Sequence, residues 1–346
     1  KLLPRPDAPD LRLRVKAGAL QMNAVTARDV LLDLQSGANG MDLRTLSIGS
    51  VGGASVTASG LILDNGKGAD GSISLEVAAD DPGELIRLMG IDGSNGLPAW
   101  ARNLGTTALR ADLAVKPGEG GPATTLKAGG TAGELAVSAS ATMAPDLTLT
   151  GNGRVDAPNS ARILALLGLS PRGQDAMPGS LAVDAQGSMA AGFATTATVQ
   201  SLGGRLDYQG RFNPLADGYG VKGKLSLRAT DAAPLLAATG MPVADYGGGV
   251  LVGDAAVAWG DDAKWSVSAI TGRLGTAPFG GDVSLTPGLV LDGRLQTGAL
   301  RLADLSRATA VRQRVDTQQI GPGTNVRLLT SKLKRAPKYT KGQQAT

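Results

Sequence analysis

The chain has 346 residues, 42% of them hydrophobic, and 34 Lys or Arg against 30 Asp or Glu give a formal net charge of +4. It contains no His and no Cys, which removes Ser-His-Asp and Cys-His catalysis, Cys/His zinc sites, c-type haem attachment and any disulfide framework. The charge is uneven, because residues 311–346 hold eight basic residues and one acidic residue, Asp316, and the rest of the chain is slightly acidic.

Fifty glycines, eighteen prolines and 3% aromatics describe a chain with many turns and few large side chains. The glycines have no three-residue period, so collagen is excluded. The aliphatics are too frequent and too regularly placed for an ordinary disordered chain. No stretch approaches the ~18 to 20 continuous apolar residues of a membrane-spanning helix. A start at Lys1 without a signal pattern is expected of a fragment or a processed product, with any membrane anchor upstream.

In chain order, residues 1–10 form a linker, and alternation of apolar and polar residues then marks strands with one buried face. "LRLRVK" sets Leu11, Leu13 and Val15 against Arg12, Arg14 and Lys16. "SISLEV" places Ile73, Leu75 and Val77 on one side, and "ELAVSASATM" does the same with Leu135, Val137, Ala139, Ala141 and Met143. Leu181 and Val183 follow, then Leu206, Tyr208 and Phe212 of "GGRLDYQGRF", Leu225 and Leu227, Trp265 and Val267, and Leu291 and Leu295. "DNG" at 64–66, "GNG" at 151–153 and "ADG" at 216–218 are turn signals. Short one-sided strands with tight turns predict antiparallel sheet.

Three segments break the alternation and align without gaps: "DPGELIRLMG" (81–90), "NSARILALLG" (159–168) and "DAAPLLAATG" (231–240). Each opens with a residue suited to cap a helix, Asp81, Asn159 or Asp231, and ends in a glycine. Gly90, Gly168 and Gly240 are 78 and 72 residues apart, which predicts short helices recurring about every 75 residues. "LQTGALRLADLSRA" near 295–308 is a candidate degenerate fourth copy. Double glycines at 52–53, 203–204 and 280–281 are expected where a strand begins, allowing a bulge or sharp bend. The repetitive β region thus spans 11–305, and 306–346 is expected to be a basic, disordered tail.

The combination of alternating strands, double-glycine strand starts and Asp-x-x-x-Leu-Leu-x-x-x-Gly helices resembles the AsmA-like family, which includes the TamB and YhdP groups. That resemblance covers most of residues 11–305. It implies a periplasmic part of a Gram-negative envelope protein, held in the inner membrane by an N-terminal helix outside this chain. It further implies an elongated β-sheet curled into a groove that holds or conducts phospholipid acyl chains, supporting outer-membrane biogenesis without enzymatic activity or cofactor. Envelope proteins would be its partners. The lining candidates are Ile73, Leu75, Val77, Leu135, Val137, Leu181, Val183, Leu206, Tyr208, Phe212, Leu225, Leu227, Trp265 and Val267. The same alternation also suits a structural or adhesive β-repeat protein with a dry core.

Other motifs carry less. "GYGVKGKL" at 218–225 approaches a phosphate-binding loop but has Leu225 where a hydroxyl should meet magnesium, and it continues as a strand. Asp64 and Asp70 in "DNGKGADG" lack the spacing of a calcium loop and suit a hairpin turn. The Asp pairs at 80–81 and 261–262 lack the separated partner of a glycosidase. Trp259 and Trp265 are expected in one hairpin as packing residues, while Trp100 stands apart. Too few aromatics are present for the two girdles of a membrane barrel. A β-helix has shorter rungs and does not need recurrent helices. No basic stripe with interleaved aromatics supports nucleic-acid binding.

Overall fold

Residues that alternate in polarity form strands, and the structure, a computed structural model, consists almost wholly of them. It describes residues 10–22, 25–88, 104–166, 177–213, 220–238, 249–259, 265–286, 290–297 and 325–329. The first five strands are β1 (Leu11–Met22), β2 (Val25–Gly37), β3 (Gly40–Val51), β4 (Ala54–Asp64) and β5 (Ala69–Ala79). They lead into helix α1 (Gly83–Leu88). Strands β6 (Thr107–Lys116), β7 (Ala123–Ala132), β8 (Leu135–Met143) and β9 (Leu149–Ala157) precede α2 (Ser160–Leu166). Strands β10 (Gly179–Ser188), β11 (Gly192–Ser201), β12 (Gly204–Phe212) and β13 (Val221–Ala229) precede α3 (Ala233–Ala238). The meander continues with β14 (Leu251–Trp259), β15 (Trp265–Leu274), β16 (Ala277–Thr286) and β17 (Val290–Thr297). A short β18 (Asn325–Leu329) pairs with β17.

Every strand pairs antiparallel with its neighbours in sequence, so the protein is one long antiparallel sheet. Among the described residues no pairing joins β1 to the final strands, and the sheet is therefore open rather than closed into a barrel. The described helices lie at one end of the strands, after β5, β9 and β13, so four strands separate each helix from the next. At the same end, tight hairpins alternate with the helices, at Gly52-Gly53, Gly133-Glu134, Leu202-Gly203 and Gly275-Thr276. Leu202 and Gly203 both have positive φ, 53° and 71°, as the strand-matched two-residue turn requires. A leucine bears that strain because its side chain is only 2% exposed.

All three helices start alike. The side chains of Asp81, Asn159 and Asp231 accept hydrogen bonds from the backbone N–H groups of Gly83, Ala161 and Ala233, each at 2.8 Å, which satisfies a donor that the first turn leaves free. The following residue differs with its surroundings. Ser160 N–H donates to Met177 O at 2.7 Å and Ala232 N–H to Gly249 O at 3.0 Å, tying each helix to the approach of the next strand. Pro82 has no N–H to place and suits the same position in α1.

Dry packing gathers at this end, and a second buried cluster, of Ile62, Ala69 and Val115, lies at the other. Helix α2 lies on β9, β10 and β11, where Ile163 is fully buried against Leu135 and Ala157 with Val137, Leu181 and Val199 around it. The strand-end row Ala54, Ala79, Ala132, Ala157 and Ala229 is buried as well. Although the helix segments align without gaps, α1 buries Ile86 and α2 buries Ile163, which are not equivalent positions. The two helices differ in how they roll on the sheet.

Several sequence expectations are corrected. The "GNG" at 151–153 is not a turn but part of β9, where Gly151 faces Ala141 and Ala185 across the ladder. Gly280 and Gly281 sit inside β16, opposite a bulge in β15, and the turn that begins β16 is Gly275-Thr276. Leu295 to Thr297 belong to β17 rather than to a fourth helix, and Asn325–Leu329 within the basic tail is a strand. Gly90, Gly168, Gly240, Trp100, the "ADG" at 216–218 and the Asp pair at 261–262 lie outside the described residues.

Candidate functional site, an uncovered apolar face

Register across the ladder decides which residues share a face, because a side chain and its directly paired partner point the same way. One row runs Val77, Leu109, Gly130, Val137, Val155, Leu181, Val199, Leu206, Leu227 across β5 to β13. The next runs Leu75, Ala111, Ala128, Ala139, Gly153, Val183, Ala197, Tyr208, Leu225. A third joins Ile73 through Leu113, Leu126 and Ala141 to Gly210, Gly223, Val257 and Val267. Phe212 and Trp265 belong to a fourth row, nearest the end away from the helices. All fourteen candidate lining residues therefore lie on one face.

That face is not buried by a second layer. Leu109 is 37% exposed, Leu126 40% and Trp265 36%, whereas Ile73, Leu75, Val77, Val137, Leu181, Val183, Leu206, Tyr208, Phe212, Leu225, Leu227 and Val267 are half-buried. Leu135 differs, being 5% exposed beneath α2; it is core under the helix rather than accessible surface. The middle row consists of alanine and glycine through much of β6 to β9, with leucine and valine on one flank. This is a shallow apolar channel with small residues at its floor.

Tyr208 does not project into that channel. A Cβ built on Gly223 would sit 2.5 Å from Tyr208 Cε2, so the ring lies flat across the Gly210-Gly223 pair. Its hydroxyl is 3.3 Å from both Arg211 O and Lys222 O, and burial pushes the phenol up from its ordinary value. Trp259 and Trp265 face each other directly in the β14–β15 hairpin and stack at 4.8 Å.

The opposite face carries the charge. Arg-x-Asp and Asp-x-Arg pairs within single strands recur as ion pairs: Asp42 with Arg44, Arg110 with Asp112, Arg154 with Asp156 and Arg205 with Asp207. Exposed pairs of this kind add little stability, but they keep this face wetted. The Asp112 carboxylate is held below the ordinary range by the Ser74 hydroxyl first and then by Arg110. Asp207 is held down by Arg205 and then by Thr198, and Asp146 by the Thr148 backbone N–H. A carboxylate with a lowered folded pKa stabilises the fold above the unfolded value of about 3.9 and loses that contribution as pH falls through the lower folded value. Thermal stability is therefore expected to hold down to that pH and then fall, with a smaller fall in Asp207→Asn. A decline beginning near neutrality in melting curves would contradict this.

Other candidate sites resolve as structure. Asp64 Oδ1 accepts from Gly66 N–H at 2.9 Å and Asn65 Oδ1 from Lys67 N–H at 3.0 Å, a self-satisfied hairpin turn, and the segment after Gly220 is strand β13. Among the described residues no group of three or more acidic, His or Cys side chains could hold a metal ion, and no helix is long and apolar enough to cross a membrane. Sequence reading missed Leu109, Leu113, Leu126, Val155, Val199 and Phe193 on the apolar face, whose strands interpose Thr, Ala and Gly and so mute the alternation. The recurrent Arg-x-Asp spacing was the available signal for the opposite face. No protein-family model, no curated protein and no solved structure matches the chain.

Proposed function

We propose that this chain is the periplasmic part of an AsmA-like envelope protein that holds or conducts phospholipid acyl chains along its apolar face, in support of outer-membrane biogenesis. The observation that carries the reading is the apolar face itself, continuous from strand to strand and half-exposed over most of its middle rows. Water against such a face is costly, and each acyl CH₂ buried there is worth ~0.8 kcal/mol. The stabilisation is spread over many equivalent aliphatic positions, so no single side chain is essential and selectivity among lipids is broad. The eighteen described strands at a spacing of about 4.8 Å make a path of roughly 80 Å measured along the sheet, several lipids long. No bond is made or broken in this role. An inner-membrane anchor upstream would fix one end of the path.

Native mass spectrometry with lipid extraction on the full chain from a bacterial envelope fraction tests this. Co-purifying phospholipid is expected, and it should be lost in Leu75→Asp and Leu225→Asp but retained in Lys127→Glu, which changes the opposite face. A folded protein that carries no lipid and takes up no labelled lipid overturns the proposal and leaves a structural or adhesive β-repeat protein.

A further inference from the structure

The row nearest the end away from the helices changes character along the sheet. In the first half it holds Ile62 and Val115, both buried in one cluster, and the exposed Met143, each at the far end of its strand. From β11 onward it reads Phe193, Phe212, Val221, Trp259 and Trp265, each paired directly with the next. Among the described residues every aromatic lies between β11 and β16, and four of them stand in this one row. Trp265 is 36% exposed. The indole N–H of Trp259 is buried and has no acceptor among the described residues.

The reverse side of the same strand ends is basic. Arg211 precedes Phe212 and Lys222 follows Val221, and the two cations face each other across β12 and β13. Lys224 lies one step further in, opposite Gln209. All three are exposed. Arg211 donates to Ala191 O at 3.1 Å, and among the described residues no carboxylate pairs with any of the three. Like charges directly opposed in neighbouring strands repel, and an anion placed between them removes that cost.

Aromatic rings backed by exposed cations match the chemistry of a phospholipid surface, with rings at the headgroup level and cations toward phosphate. We infer that this aromatic rim of β11–β15 is a docking edge for an anionic phospholipid bilayer, and so the place where the apolar face exchanges lipid with a membrane. The inference rests on the lipid-carrying reading above and adds the site of transfer. Its row runs directly into the apolar channel, so aromatic and aliphatic side chains make one surface from the rim inward. The helix-covered end offers no such surface, since its row is small, buried and capped.

The test uses the full chain with phosphatidylcholine vesicles, with and without phosphatidylglycerol, in co-sedimentation and tryptophan emission on a Trp100→Phe background. Binding that requires phosphatidylglycerol, a blue shift of the emission and weakening by salt are expected. Arg211→Gln, Lys222→Gln and Lys224→Gln should each lower partitioning about fivefold, and Trp265→Ser should lower it further. The lysines are exposed, so their variants keep the fold and the test stands even where Trp265→Ser does not. Retained phospholipid in the Arg211, Lys222 and Lys224 variants, read by native mass spectrometry, separates a failed rim from a failed groove. Variants that bind as tightly as the parent chain overturn the inference, as does a parent chain that ignores the vesicles. So does a dimer abolished by Trp265→Ser, which would assign the rim to self-association.

Discussion

Replacing Ile163 with alanine is expected to cost about 2–5 kcal/mol, a large share of what a sheet without a second layer has to lose. Ile163 is fully buried, and it fastens α2 to Leu135, Ala157 and the strands beside them. Apart from the Ile62, Ala69 and Val115 cluster, most of the apolar face is half-exposed and gains less from folding, so the helix end bears more than its share. Denaturant unfolding measures the total, and hydrogen exchange locates it. Protection should fall in β9, β10 and β11 while β2 to β5 keep theirs, because in a repetitive array each unit leans only on its neighbours. Leu164→Ala, at a half-buried position of the same helix, should cost distinctly less. Equal losses at the two positions would mean that α2 has no fixed seat on the sheet.

The second large effect is expected from Gly223→Val. A Cβ there would lie 2.5 Å from Tyr208 Cε2, 2.6 Å from Gln209 O and 2.9 Å from Gly210 Cα. The ring could swing aside, but the backbone of β12 could not move without parting from β13. Overpacking of this kind costs typically 1–3 kcal/mol and occasionally more. Tyr208 covers the two glycines much as Phe279 covers Gly272, where a Cβ would lie 2.8 Å from Phe279 Cε2, and an aromatic laid over strand glycines restores the packing they lack. In Gly223→Val the phenol should lose its cover, and its raised pKa should move back toward the ordinary value in a spectroscopic titration. Adding Tyr208→Ala should recover only part of the stability, because the contact with Gln209 O remains. Full recovery would show that the ring, and not the backbone, sets the spacing.

Much of this was legible in the sequence because a strand's faces are written two residues apart. The stretches "SISLEV" and "VKGKLSLR" each fixed a strand and its apolar side, and the caps at Asp81, Asn159 and Asp231 were recognisable from residue type and position. What escaped has physical reasons. In β7, β9 and β11 Ala, Gly and Thr interrupt the larger residues of the apolar side; they fit a channel floor but mute the hydropathy contrast. "GNG" in β9 has the composition of a turn, yet its glycines are strand positions where a small residue is needed. The position of Leu135 beneath α2 depends on which strands the helix covers, and that is a tertiary fact. The aromatic rim was illegible for the same reason, since Phe193 and Trp265 are 72 residues apart in sequence and meet only through four strand pairings.

The strictly sequential order of the strands bears on how the chain acquires its structure. Each new strand closes against the one just before it, so the loop to be closed stays a few tens of residues or fewer however long the protein grows, and closure entropy does not accumulate with length. Local pairing of this sort favours rapid formation. The sheet can lengthen by addition, one strand after another, as the polypeptide emerges, without waiting for its other terminus. The same order makes the array vulnerable in the middle. A strand that fails to pair has no alternative partner, and it would divide one continuous surface into two shorter ones.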